Sequence, residues 1–159
     1  MTTAAIPGQV LLVNSFDDRE MYAEYFRDAG LGVDAVADPA LALRLLPAIR
    51  CDVVITDLVF ATGAMAGASF IRELRARLDR STSIIVVSGR VRQEDRDEAR
   101  RAGADLFLIK PALPNAVLFE VRRALARRRD GRRIEWNWND LPPSASAAPG
   151  NRRGRRRAS

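Results

Sequence analysis

Residues 52–58 read DVVITDL, a short apolar run of valine and isoleucine that ends on Asp57. Its hydrophobicity is continuous rather than alternating, which marks a strand covered on both faces, as in a parallel sheet with helices packed on each side. Working outward, similar runs stand at 9–13 (QVLLV), 83–87 (SIIVV) and 105–109 (DLFLI), with a weaker one at 32–36 (GVDAV). Helical periodicity fills the intervals. Residues 17–29 place Met21, Tyr22, Tyr25, Phe26 and Ala29 at 3–4 spacing, and Gly30 is a natural stop. Asp38 and Pro39 open the next helix as N-cap and first position, with Leu41, Leu45 and Leu46 as its stripe. Residues 68–79, about 93–102, and 115 to about 128 complete the set, the last presenting Val117, Leu118, Val121 and Leu125. Five consecutive βα units predict a doubly wound α/β fold, built through right-handed crossovers, with its site at the carboxyl ends of the strands.

Length bounds this reading. The 159 residues hold one domain and an appendage, with no room for a second folded output domain. We divide the chain into an N-terminal extension (1–8), a domain (9–128) and a basic tail containing Trp and Arg (129–159). Periodicity stops at Asp130, and the Pro, Ser, Gly and Arg content beyond it predicts a largely disordered segment, with Ile134, Trp136 and Trp138 as a candidate docked piece or partner anchor.

Charge is uneven. Residues 127–159 hold ten arginines against Asp130, Glu135 and Asp140, whereas residues 1–126 hold 16 basic and 17 acidic residues, so the net charge of +6 is assigned to the tail. Nucleic acid is therefore a candidate partner through 127–159 alone, by salt-sensitive attachment to phosphates; the plainer reading is a solvated extension. The chain has no histidine and one cysteine, Cys51. Zinc chemistry, Ser-His-Asp hydrolysis and an internal disulfide are thereby disfavoured. No leader-like stretch opens the chain and no window approaches a membrane span, so the expected location is the cytoplasm, with no membrane partner.

The strand ends carry the chemistry. Asn14 and Ser15, Asp57, Ser88 and Lys110 close strands one, three, four and five, and on a parallel sheet they converge on one edge. An aspartate there can attack a phosphoryl donor, a hydroxyl can bond the new phosphoryl oxygens, and a lysine can neutralise them. Lys110 is the only lysine among 26 basic residues, and it sits at a strand end before Pro111. Taken singly, Asp57 would be a turn aspartate and Ser88-Gly89 a turn; Phe107 and the aromatic residues Tyr22, Tyr25 and Phe26 would be core or helix-face residues.

The pieces VLLV, REMYAEYFRDAG, DVVITDL, SIIVVSG and AGADLFLIKP together resemble the CheY-like receiver domain of two-component response regulators, over about residues 8–127. The resemblance implies a flavodoxin-like five-stranded parallel sheet in the order 2-1-3-4-5, Asp57 as phosphoacceptor, Ser88 as switch hydroxyl, Lys110 as the invariant-type lysine, Phe107 as the aromatic switch, and a cis bond between Lys110 and Pro111. It implies a non-enzymatic module of a phosphorelay, with a sensor histidine kinase or phosphotransfer protein upstream and a protein partner downstream; the length makes the expected module a stand-alone one.

Two departures qualify it. Where the family has an acidic pair holding Mg²⁺, this chain has Asn14 and Ser15; with Asp57 they form a degenerate metal set of weakened Mg²⁺ affinity. A pseudo-receiver acting without phosphorylation is the alternative. Ser15 and Asp18 read as an S-x-x-D capping box with Asp17 in the first turn, although a loop one residue short could bring Asp17 to the pocket. After Asp57 the segment LVFATGAMAG lacks the usual proline and is about two residues longer, which predicts a more mobile loop.

Overall fold

The computed structural model describes residues 7–60, 67–90 and 92–135. Its elements are β1 (Gln9–Val13), α1 (Asp18–Asp28), β2 (Gly32–Val36), α2 (Pro39–Leu45) with a 3-10 turn (Leu46–Ala48), β3 (Val53–Thr56), α3 (Ala68–Arg77), β4 (Ser83–Ser88), α4 (Gln93–Ala102), β5 (Leu106–Ile109) and α5 (Pro114–Arg129). All pairings are parallel, in the order β2-β1-β3-β4-β5.

Alternate side chains of the inner strands enter two separate cores, which is why their sequences show no polar face. Leu11, Val13, Val54, Ile84, Val86 and Phe107 pack with α2, α3 and α4. Val10, Leu12, Val53, Ile55, Ile85 and Leu106 pack with α1 and α5. Every strand runs toward one edge of the sheet and every helix returns to the other. We call these the carboxyl edge and the base.

Helix stripes shift in detail. In α1, Tyr22, Ala23 and Phe26 are buried, whereas Met21 and Tyr25 are exposed. In α2 the Asp38 carboxylate caps the helix by accepting the Ala40 N–H at 2.9 Å, but Ala42 faces the core and Leu41 faces out. Pro47 lacks an N–H to continue the α pattern, and the helix tightens into the 3-10 turn around it. On α5, Ala124 is buried and Leu125 only partly so. Gly103 ends α4 at φ 118°, where a Cβ would also meet the Arg75 Cγ at 2.9 Å.

Beyond the domain end expected at residue 128, Ile134 is a docked piece, as its candidacy in the sequence allowed. The Gly131 and Arg132 N–H groups bond back to the Arg128 and Arg127 carbonyls, turning the chain under the sheet. Ile134 is 4% exposed, joins the core of α1 and α5, and donates its N–H to the Ser83 Oγ at 3.1 Å. Trp136, Trp138 and the rest of the tail lie outside the described residues, as do residues 61–66 of the long loop.

Candidate functional site

At the carboxyl edge β1 and β3 lie side by side, and the Asp57 N–H donates to the Val13 carbonyl at 3.3 Å. Asp57 is 4% exposed. Its Oδ1 accepts the N–H groups of Leu58 (2.6 Å) and Val59 (3.2 Å), and its Oδ2 accepts from the Lys110 Nζ at 2.8 Å. Two backbone donors and an ammonium therefore fix the carboxylate from opposite sides. Leu58 also accepts the Gly67 N–H at 2.9 Å, which closes the long loop at its root.

Lys110 is carried by the end of β5, where its N–H bonds the Ser88 carbonyl at 2.9 Å and its peptide bond to Pro111 is cis. Burial pulls its ammonium toward deprotonation, but the hydrogen bond and charge of Asp57, joined by Asp18, outweigh that and raise its pKa. The Phe16 ring lies 5.3 Å from the Nζ. Ser88 is fully buried at the end of β4, and its Oγ accepts the Arg90 N–H at 3.3 Å. Phe107 is fully buried within β5, pointing into the core of α2, α3 and α4.

The first loop departs from the sequence reading. No capping box forms: the Ser15 hydroxyl donates to the Ala37 carbonyl at 2.7 Å, and Asp17 occupies the N-cap without capping through its side chain. Asp18, rather than Asp17, reaches the site. Its Oδ1 accepts from the Asn14 Nδ2 at 2.7 Å, and its Oδ2 lies 3.3 Å from the Lys110 Nζ. Asn14 spends its own oxygen on the Phe16 N–H at 2.8 Å. Tyr22, one turn further along α1, donates its hydroxyl to the Ala112 carbonyl at 2.5 Å and ties the loop after Lys110 to α1. Sequence reasoning missed Asp18 and Phe16 as site residues; the carboxylate pair Asp17-Asp18 just after the end of β1 is the signal that could have pointed to Asp18.

These residues do not fit the Mg²⁺ site that the fold implies. Magnesium requires several oxygen ligands in octahedral array. Here Asn14 turns its amide N–H₂ toward Asp18, Ser15 is directed at a backbone carbonyl, and the carboxylates of Asp57 and Asp18 are bridged by an ammonium. Among the described residues no group of three or more His, Cys, Asp or Glu side chains is placed to hold a metal. Cys51 lies away from the site near the base, its thiol pushed up to about 12 by burial.

Residues 10–122 match the response regulator receiver domain. The chain belongs to that family. The receiver is 36% identical over 132 residues to the regulatory protein VirG of Agrobacterium tumefaciens, covering 80% of this chain and 45% of VirG. It is 31% identical over 131 residues to the transcriptional regulatory protein PrrA of Mycobacterium leprae, covering 80% of this chain and 54% of PrrA. The chain thus spans about half the length of the curated relatives it matches. Among solved structures, the chemotaxis protein CheY4 of Vibrio cholerae superposes with a TM-score of 0.68 at 28% identity, covering 75% of this chain and 99% of CheY4. A receiver domain protein of Methanospirillum hungatei shares the fold with a TM-score of 0.72 at 18% identity, covering 79% and 98%. No described helix is long and apolar enough to cross a membrane.

Proposed function

We propose that this receiver accepts a phosphoryl group at Asp57 from a sensor histidine kinase or phosphotransfer protein, as a stand-alone module that passes the change to a protein partner. The observation that supports this best is the Asp57 carboxylate held between the Leu58 and Val59 N–H groups and the Lys110 ammonium, at a strand edge beside Ser88. In the transfer, an Asp57 oxygen bonds the phosphorus of a phosphohistidine and the P–N bond breaks. The imidazole nitrogen keeps the electron pair and takes a proton from solvent. Lys110 then pairs with phosphoryl oxygens in place of the carboxylate, and Ser88 and Phe107 are the side chains assigned to respond.

A second reading, a pseudo-receiver that signals by contact alone, is favoured by the orientation of Asn14 and Ser15 toward local partners. Beryllofluoride, which mimics a phosphoryl group on a carboxylate, separates the two. In ¹H–¹⁵N spectra of the full chain with Mg²⁺ present, the phosphoacceptor reading expects shifts at Leu58, Val59, Gly89 and Lys110 that vanish in Asp57→Asn. An unchanged spectrum would establish the pseudo-receiver instead.

A further inference from the structure

The two edges of the sheet differ in charge. Helix C-termini gather at the base, and the last turn of every helix carries arginine, from Arg27 in α1 to Arg127, Arg128 and Arg129 in α5. Complementarity to the helix dipole accounts for those. It does not account for Arg50, Arg80, Arg132 and Arg133, which stand in the connecting segments at the same end. The Arg50 and Arg132 side chains are 52% and 57% exposed.

Of the acids at this end, Asp28 and Glu135 are exposed, and the others stand beside arginines. Asp52 is buried and accepts the Gln9 N–H, with Arg128 at 2.8 Å and Arg50 at 3.3 Å. Asp105 is buried and accepts the Ile84 N–H, with Arg75 at 2.7 Å and Arg133 at 3.4 Å. Asp79 and Asp130 are exposed, each with an arginine at 3.8 Å. Five of the ten arginines assigned by sequence to the tail, at 127–129, 132 and 133, thus belong to the folded base.

Two open clefts mark this face. One, of about 240 Å³, is lined by Gly8, Arg50, Asp52, Leu125, Arg128 and Arg129. The other, of about 570 Å³, is lined by Arg75, Leu78, Arg80, Gly131 and Arg133. Arg128, which lines the first, donates to the Ser81 and Thr82 hydroxyls between α3 and β4.

We infer that this arginine-lined base is a docking surface for the phosphate backbone of double-stranded DNA, engaged without sequence preference. Guanidinium groups present planar forks that match phosphate oxygens, and every basic residue on this face is arginine. Duplex DNA carries about one charge per 1.7 Å of axis, a spread of anions that several separated arginines can meet together. A membrane surface fits less well, because the large exposed apolar side chains, such as Leu113 and Phe119, belong to neither cleft. Five more arginines follow in the sequence between 152 and 157, and the test separates their contribution from that of the base.

The test is fluorescence anisotropy of a labelled random-sequence duplex with the full chain, across a salt series. Four full-length proteins are compared: wild type, Arg50→Gln/Arg80→Gln/Arg132→Gln, a protein with the arginines at 152, 153, 155, 156 and 157 changed to Gln, and one carrying both sets of changes. The base variant is expected to bind at least tenfold more weakly, with the slope of log Kd against log salt reduced by about 2 to 3. The tail variant retains a salt-dependent affinity above that of the two sets combined. Wild-type binding by the base variant, no binding by any protein, or tighter binding to polyglutamate or anionic vesicles than to the duplex would each overturn the inference. Thermal melts of the base variant confirm that its fold is intact, and an unchanged beryllofluoride response separates this outcome from any failure at Asp57.

Discussion

Lys110, in the turn after β5, links two other elements through one ammonium: Asp57 just past β3 and Asp18 on α1. Because its pKa is raised in the folded chain, the stabilisation it provides is fully present below the ordinary lysine range and is lost as pH rises through the folded value. The difference in urea midpoint between wild type and Lys110→Met should therefore stay constant through neutral pH and narrow only above about pH 10.5. Asn14 and Ser15 make a second prediction. Changing both to Asp adds two carboxylates where the present side chains offer a misdirected amide and a hydroxyl. The Mg²⁺ concentration that half-quenches Trp or Tyr fluorescence should fall at least about tenfold, whereas Asp18→Asn alone should not lower it.

The position of Asp57, Ser88, Phe107 and Lys110 at their strand ends or within β5 was legible because strand ends in a parallel sheet are fixed by topology. Asp18 was hidden by a local pattern. S-x-x-D satisfies a capping rule on paper, but the Ser15 hydroxyl finds the Ala37 carbonyl across the β2 edge, a partner 22 residues away that no local rule contains. Once Ser15 is engaged there, Asp18 is available to Asn14 and Lys110.

At the scale of elements, unbroken apolar runs identified the strands well, since two-sided burial leaves the same signature wherever it occurs. Helix faces were read less well: Leu41 and Ala42 exchange roles because a step of about 100° per residue puts neighbours on different faces, and a small residue suits the close approach at Ala42. The Asp38 cap was readable, and Asp38→Ala should destabilise the domain by about 1 kcal/mol. Ile134 was recognised only as a candidate. Its burial between α5 and β4 makes residues 130–135 part of the domain, and Ile134→Ala is expected to lower unfolding free energy by about 2 to 4 kcal/mol in urea titrations. A loss below about 0.5 kcal/mol would mean that this segment is an appendage after all.

For the whole molecule, a near-neutral count over residues 1–126 conceals a polar distribution. Residues 1–126 balance 16 basic against 17 acidic residues, yet chain reversal at each βα unit sends helix C-termini and their arginines to the base, while acids such as Asp18, Glu20, Glu94 and Asp95 sit in first turns near the carboxyl edge. Linear charge counting cannot see this, because it sums along the chain what the fold separates in space. The same separation puts about the full depth of the sheet between Asp57 and the basic face, so neutralising Arg50, Arg80 and Arg132 should leave chemistry at Asp57 unchanged.

That chemistry is the centre of the account, and intact-mass analysis of the full chain after incubation with acetyl phosphate tests it most directly. The account predicts a gain of one phosphoryl group in wild type, none in Asp57→Asn, and a strongly reduced gain in Lys110→Met. A wild-type protein that gains no mass, or an Asp57→Asn variant that gains as much, would contradict it.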